Sequence, residues 1–268
     1  TAGGNIVAGL GEKEIKKGYK ILSGYSLALI SPDGEVFRKI DDDVLRAYPA
    51  PKGESIAYID IEHNPYLYSK GNSAPLKIDG KVIQFAWMPD ASGFVYTRKP
   101  SDWAPEKINN PKNTKEFFRL ADSNIVYYNL SNGKTALLTD HPREDWNPVV
   151  SPDGKRVLFQ TSRLGHSCFW MVDINGSDSR QITFPTPENE NDPYIPIAYT
   201  DELIWNAKTN TIVYGTSTPE NIPEIWRMNP DGEKARKIGI GRHPRIFNKG
   251  DALAFITDNG VIKTESLK

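Results

Sequence analysis

The chain has 268 residues, 38% of them apolar and 25% charged, and a formal net charge of −1. Near-neutrality removes the electrostatic reason to expect a nucleic acid or an anionic membrane surface as a partner. No apolar run approaches the roughly 18 residues needed to cross a bilayer, so no membrane insertion is expected.

Taken in chain order, the elements are almost all short strands. A strand-like piece at residues 5–10 is followed by a hairpin at 26–40 around Ser31-Pro32-Asp33-Gly34. Hairpins follow at 45–61 around Pro51-Lys52-Gly53, at 66–78 around Gly71-Asn72-Ser73, and at 82–97 around Pro89-Asp90. After an insertion at 99–123, whose stretch 114–120 is the best helix candidate, come 125–139 around Ser131-Asn132-Gly133 and 148–161 around Ser151-Pro152-Asp153-Gly154. The hairpin at 169–183 turns on Asn175-Gly176-Ser177, and a second insertion covers 184–198. The last hairpins are 204–216, 224–238 around Asn229-Pro230-Asp231-Gly232, and 244–257 around Asn248-Lys249-Gly250, with a strand-like piece at 261–265. In Ser-Pro-Asp-Gly, proline presets φ at the second turn position, aspartate suits the third, and glycine accepts the geometry that follows. The strands alternate apolar and polar and are rich in β-branched and aromatic residues, as in Val157-Leu158-Phe159-Gln160-Thr161.

Two kinds of hairpin therefore alternate, one joining strands one and two of a unit, the other joining strands three and four. A four-stranded unit repeated along a chain means radial assembly. The expected fold is an all-β β-propeller of four-stranded antiparallel blades filling residues 1–268 as a single domain. Five blades are favoured, and the leftover strands keep a count of six open. Because the chain begins with a three–four hairpin and ends with a one–two hairpin, the N- and C-terminal strands are expected to close the last blade together. Such closure removes free sheet edges.

The stretch Trp146-Asn147-Pro148-Val149-Val150-Ser151-Pro152-Asp153-Gly154, continuing to Arg180-Gln181-Ile182-Thr183, resembles the repeat of TolB-type bacterial propellers. Residues 220–257 match the repeat well and residues 26–97 loosely. The resemblance implies a propeller and leaves several functions open. TolB-like members are periplasmic scaffolds. Related propellers gate prolyl-oligopeptidase-type peptidases, which need a hydrolase domain with a Gly-x-Ser-x-Gly elbow, a pattern that this sequence lacks. Others are oligogalacturonate lyases, which use histidines with a divalent metal.

In a propeller the turns within hairpins lie on one face. The loops between strands two and three, and between blades, lie on the other. Both insertions and all four histidines are expected on that second face. Trp103, Trp146 and Tyr194 sit in or beside long loops, where a ring could stack on a partner. Arg98, Arg143 and Arg163, with Lys99, would give the face positive character, and His63 lies beside them. His141, His166 and His243 are the candidate metal ligands, with Asp140, Glu144 and Asp145 as companions, although no close-spaced ligand motif joins them. Trp170, Trp226 and Tyr128, on third strands, read as core. Cys168, the only cysteine, reads as a small buried hydrophobe and excludes an internal disulfide framework.

Two functions follow. The first is a non-catalytic propeller that binds a protein or peptide partner, or a small ligand, on the loop-rich face, without a cofactor. The alternative is a carbohydrate-active enzyme acting on an oligosaccharide, either a uronate lyase with a divalent metal or a five-bladed glycosidase. The opening Thr1-Ala2-Gly3-Gly4 suits a processed export product, hence the periplasm or the extracellular space, and suits a trimmed chain equally.

Overall fold

Each described tight turn that the sequence marks joins two antiparallel strands in the computed structural model, which describes residues 6–17, 20–30, 36–104, 107, 112, 121–183, 202–218 and 220–267. The Ser31–Gly34 turn, the helix candidate at 114–120, the insertion at 184–198 and Tyr194 lie outside the described residues. The described strands form five antiparallel sheets, and the fold is that of an all-β propeller with five blades. By their contacts the residues fall into two compact units, 1–143 and 144–268.

The first unit holds two sheets. One comprises β1 (Ile6–Lys17), β2 (Lys20–Ile30), β3 (Val36–Pro49), β4 (Ile56–Asp60), β5 (Pro65–Tyr68) and β6 (Leu76–Lys77), paired in that order. The other comprises β7 (Lys81–Trp87), β8 (Gly93–Lys99), β9 (Asn124–Asn129) and β10 (Thr135–Leu137). The second unit holds three sheets. The first is β11 (Asp145–Val150), β12 (Arg156–Thr161), β13 (Cys168–Asp173) and β14 (Arg180–Gln181). The second is β15 (Leu203–Asn206), β16 (Thr211–Ser217), β17 (Pro223–Met228) and β18 (Arg236–Ile240). The last is β19 (Arg242–Phe247), β20 (Ala252–Ile256) and β21 (Ile262–Ser266).

The second strand of a sheet does not alternate between core and solvent. In β16 every residue from Thr211 to Thr216 is buried. Successive side chains point to opposite faces of a strand, and here each face has a sheet against it. Ile212 and Tyr214 pack with Leu158, Phe169 and Met171 of the preceding sheet. Val213 packs with Leu253 and Phe255 of the following one. The first unit repeats the arrangement at β4. Ala57 and Ile59 face Phe85, Phe94 and Tyr96, while Ile56 and Tyr58 face Leu27, Leu29 and Val44. Each fully buried aliphatic or aromatic side chain contributes about 1.5–3 kcal/mol by leaving water.

Outer strands are fixed by a threonine that the repeat carries at its end. Thr139 Oγ1 accepts the Ile125 backbone N–H at 2.9 Å, and Thr183 Oγ1 accepts that of Phe169 at 2.9 Å. The same backbone pair closes both sites, with Leu138 N–H donating to Ile125 O at 2.9 Å and Ile182 N–H to Phe169 O at 2.8 Å. The turns pack as tightly. A Cβ on Gly232, which has φ of +89°, would stand 2.1 Å from Ile182 O, so only glycine fits where that turn meets the preceding sheet.

The hairpin of β2 and β3 pairs with β1 and β4 within the first unit. β3 runs unbroken through 14 residues, pairing with β2 in its first half and with β4 in its second, so that Val44 faces both Tyr25 and Asp60. The acidic run Asp41-Asp42-Asp43 is the hinge of this strand. Asp43 has φ of 57°, and Tyr58 donates to Asp41 and Ser26 to Asp42, both at 2.5 Å. Among the described residues the last sheet holds β19, β20 and β21.

Replacing Thr183 by valine leaves the buried Phe169 N–H without its acceptor, a loss of about 1–3 kcal/mol. Chemical denaturation should show this drop for Thr183→Val and a near-wild-type midpoint for Thr183→Ser.

Candidate functional site

Each unit sorts its connections onto two ends. In the second unit the tight turns meet at one end, where Asn206 Nδ2 donates to Gly250 O at 2.8 Å and Lys208 pairs with Asp251. The longer loops meet at the other, where one oxygen of Glu202, ahead of β15, accepts the His243 backbone N–H at 2.6 Å and lies 2.8 Å from His243 Nδ1. In the first unit, Trp87 Nε1 donates to Tyr48 O at 2.7 Å at the turn end. At its loop end, Val82 N–H donates to His63 O at 2.9 Å.

A repeated bulge shapes the loop end. In β7, β11 and β19 the pairing slips by one residue at the same place, between Val82 and Phe85, Trp146 and Val149, and Arg242 and Arg245. A bulge of this kind bends the strand and re-aims a side chain. In the second unit its extra residue is Asn147 in one sheet and His243 in another, with φ of 53° and 56°, each just before a proline. Asparagine and histidine are among the few side chains that tolerate this left-handed backbone.

Under the bulge of β11 lies a buried polar network. Asp145 is fully buried, and Arg163 grips it with both arms, Nε to Oδ1 at 3.1 Å and Nη2 to Oδ2 at 2.6 Å. The guanidinium lies 4.8 Å from the centre of the Trp170 ring and 5.4 Å from that of Phe159. Asn147 donates to Gln160 Oε1 at 3.1 Å, and Gln160 donates to Ser167 Oγ at 3.3 Å. The Arg163 charge is thus matched within the fold. Trp146 is packed at 8% exposure and presents no free ring face. Cys168 is buried beside them, its thiol pushed up to about 11 by loss of water.

The next sheet is clipped in a similar way. Glu224, buried at the start of β17, accepts Trp226 Nε1 at 2.8 Å and Lys237 Nζ at 3.0 Å. Above these clips three apolar side chains project. Leu164 is 51% exposed at the tip of the β12–β13 loop, Ile222 41% exposed in the β16–β17 loop, and Ile240 47% exposed at the end of β18. Short turns hold the tips, with Gly165 N–H donating to Ser162 O and Asn221 N–H to Thr218 O, each at 2.9 Å.

In the first unit the structure brings together two of the anticipated residues. The His63 ring meets Trp103 edge-on, with centres 4.8 Å apart. His63 has φ of 63°, and its Nδ1 lies 3.2 Å from Val82 O, which assigns the proton of the neutral ring to Nδ1. Burial lowers its pKa, against a smaller opposing effect from the bond to Val82, and Lys81 and Arg46 add to the lowering. Trp103 is 8% exposed. Lys81 Nζ donates to Glu62 O at 2.7 Å and Asn64 Oδ1 at 3.0 Å, and Lys99 Nζ to Ala121 O at 2.7 Å. Arg98 is half-buried, its stem against Gly80.

The candidate metal ligands are placed separately. His141 Nδ1 accepts the Arg143 N–H at 3.2 Å, His166 is exposed, and His243 is held by Glu202. Asp140 and Arg143 are exposed. Among the described residues no group of three or more His, Cys, Asp or Glu could hold a metal ion. Glu202, Glu224, Gln160 and the three apolar tips were not singled out by sequence. The Asn-Pro and His-Pro pairs at equivalent repeat positions are the one signal that marks the bulges.

No protein-family model matches the chain. The uncharacterized protein Atu1656 of Agrobacterium fabrum is 25% identical over 178 residues, which are 63% of this chain and 50% of that protein. Among solved structures, TolB from Acinetobacter baumannii has a TM-score of 0.60 at 16% identity, over 90% of this chain and 57% of its own. An oligogalacturonate lyase from Vibrio parahaemolyticus has a TM-score of 0.66 at 13% identity, over 93% of this chain and 72% of its own. The chain therefore has a TolB-type propeller fold, and it spans half of the Agrobacterium relative. No helix among the described residues is long and apolar enough to cross a membrane.

Two measurements check the electrostatics. Arg163→Met keeps apolar packing on Trp170 but takes the guanidinium away from the buried Asp145 carboxylate, and should cost about 3–5 kcal/mol. Adding Asp145→Asn should recover most of that loss in denaturant titration. For His63, the folded state disfavours the proton, so the unfolded chain takes it up first as pH falls. The resulting stability is complete above the ordinary imidazole value of 6.5 and declines below it. His63→Asn keeps a residue suited to the left-handed backbone, and its melting temperature should fall less than that of the wild type over this range.

Proposed function

We propose that this chain is a non-catalytic TolB-like propeller that binds a protein or peptide partner at the loop end of its second unit. The observation that carries the reading is the trio Leu164, Ile222 and Ile240, exposed on loops anchored by Arg163–Asp145 and Glu224–Lys237. Exposed apolar anchors on rigid, polar-rimmed supports are what a partner surface provides, since little ordering is needed on binding. Arg143, Trp103 and His63 belong to the loop end of the first unit and serve the same role in this reading. The location that goes with it is the periplasm or the extracellular space.

The likeness to an oligogalacturonate lyase favours a second reading, a metal-dependent uronate lyase using His141, His166 and His243. His141 would come from the first unit and His166 and His243 from the second. Metal analysis of the purified chain and an absorbance assay for unsaturated product on oligogalacturonate with added manganese test it.

For the binding reading, the wild type and a Leu164→Asp/Ile222→Asp/Ile240→Asp variant are used to capture proteins from an envelope fraction, and each captured protein is then titrated as a purified species. A partner whose affinity falls at least about tenfold in the variant supports the reading. If every purified partner binds both forms alike, the loop end is not the binding surface.

A further inference from the structure

At the turn end of the sheet β11–β14, a cavity of about 370 Å³ is lined by Asp153, Lys155, Arg156, Asp173, Ile174 and Asn175. All six lie in or beside the two turns of this sheet, between β11 and β12 and between β13 and β14. The walls are fixed by the backbone. Ser151 N–H donates to Arg156 O, Ile174 N–H to Lys155 O and Gly176 N–H to Asp173 O, each at 2.8 Å. Side chains add to this, with Ser151 Oγ donating to Asp153 Oδ1 at 2.6 Å and Ser177 N–H to Asn175 Oδ1 at 3.0 Å. A site built in this way needs little ordering when something enters it. Its volume falls within about 300–1,000 Å³, the range of small-ligand pockets.

The charges of this lining are not spent on one another. Arg156 stands directly opposite Asp173 in the register of β12 with β13, where opposite charges ordinarily attract. Yet no ion pair joins the two. The guanidinium lies instead 5.8 Å from the centre of the Trp205 ring, and Asp173 Oδ2 accepts the Ser177 hydroxyl at 3.5 Å. A guanidinium with its face on a ring keeps its edge N–H groups for a carboxylate. Lys155 is exposed, and no described carboxylate pairs with its ammonium. The lining therefore offers two cations and two carboxylates, together with one apolar side chain, Ile174. A ligand of one sign would leave the opposite charges unmatched, whereas a dipolar ion matches both. We propose that this cavity binds a small dipolar ion, with a carboxylate on Lys155 and Arg156 and an ammonium on Asp173 and Asp153. Free amino acids and short peptides share that chemistry. The site is at the other end of the second unit from Leu164, Ile222 and Ile240, and it stands whether or not those residues hold a partner.

The test is calorimetric titration of the 268-residue chain with alanine and with alanyl-alanine. At least one of them should bind saturably, and the tighter of the two tells a free amino acid from a peptide as the source. The N-acetylated and the C-amidated forms of that probe should each bind at least about tenfold more weakly, since each loses one charge-assisted contact. Asp173→Asn should narrow the gap between the probe and its acetylated form. Lys155→Gln/Arg156→Gln should narrow the gap between the probe and its amide. Lys155→Gln alone, at an exposed side chain, keeps the test open should the double variant fail to fold: it should weaken the probe and leave the amide nearly unchanged. No heat from either probe at millimolar concentration, blocked forms that bind as tightly as the probe, or variants that keep the wild-type preferences would each overturn the proposal.

Discussion

The structure depends on sheets that pack on both of their faces. A strand such as β16 has no solvent side, so Ile212 and Val213, adjacent in sequence, serve two different cores. This arrangement transmits its demands to everything else. Backbone groups of buried strands must be paired, because an unpaired buried N–H costs as much as a hydrogen bond contributes. The repeat-ending threonines meet that demand at Ile125 and Phe169, where the short outer strands no longer supply a carbonyl.

The same packing explains the loop end. Where inner strands leave the core, polar side chains must follow the chain into a partly buried zone, and three carboxylates there are matched. Asp145 takes both arms of Arg163, Glu224 takes Trp226 and Lys237, and Glu202 takes His243. Breaking one partner of such a pair exposes the full desolvation cost of the other. The loops are therefore held from beneath, and Leu164, Ile222 and Ile240 are among the groups left to face solvent.

Much of the fold was legible in the sequence because turn chemistry is local. Every anticipated hairpin with both strands described is present, since Pro-Asp-Gly and Asn-Gly act through the dihedral angles of a few residues. The length of β3 was not legible, because the acidic triplet Asp41–Asp43 inside it is held by Tyr58 and Ser26, which come near only in the fold. At the site, spacing located the loop-end residues but not their neighbours. The partner of Arg163 does not show in sequence, because Asp145 is 18 residues away and is brought near only by the register of β11 with β12. Trp103 and Trp146 look available for the same reason.

The histidines show why residue type alone misleads. His63 and His243 both occupy left-handed backbone, a conformation that excludes most side chains and that His, Asn and Asp enter more readily. His243 stands in its repeat where Asn147 stands in another, in the extra residue of the same bulge before a proline. Their presence at the loop end is thus accounted for by the bulge and the turn, before any ligand is invoked. What the bulge does is bring that residue's backbone N–H out of the ladder, where Glu202 meets it in one sheet. The geometry that places a histidine there serves first to tie one sheet to the next.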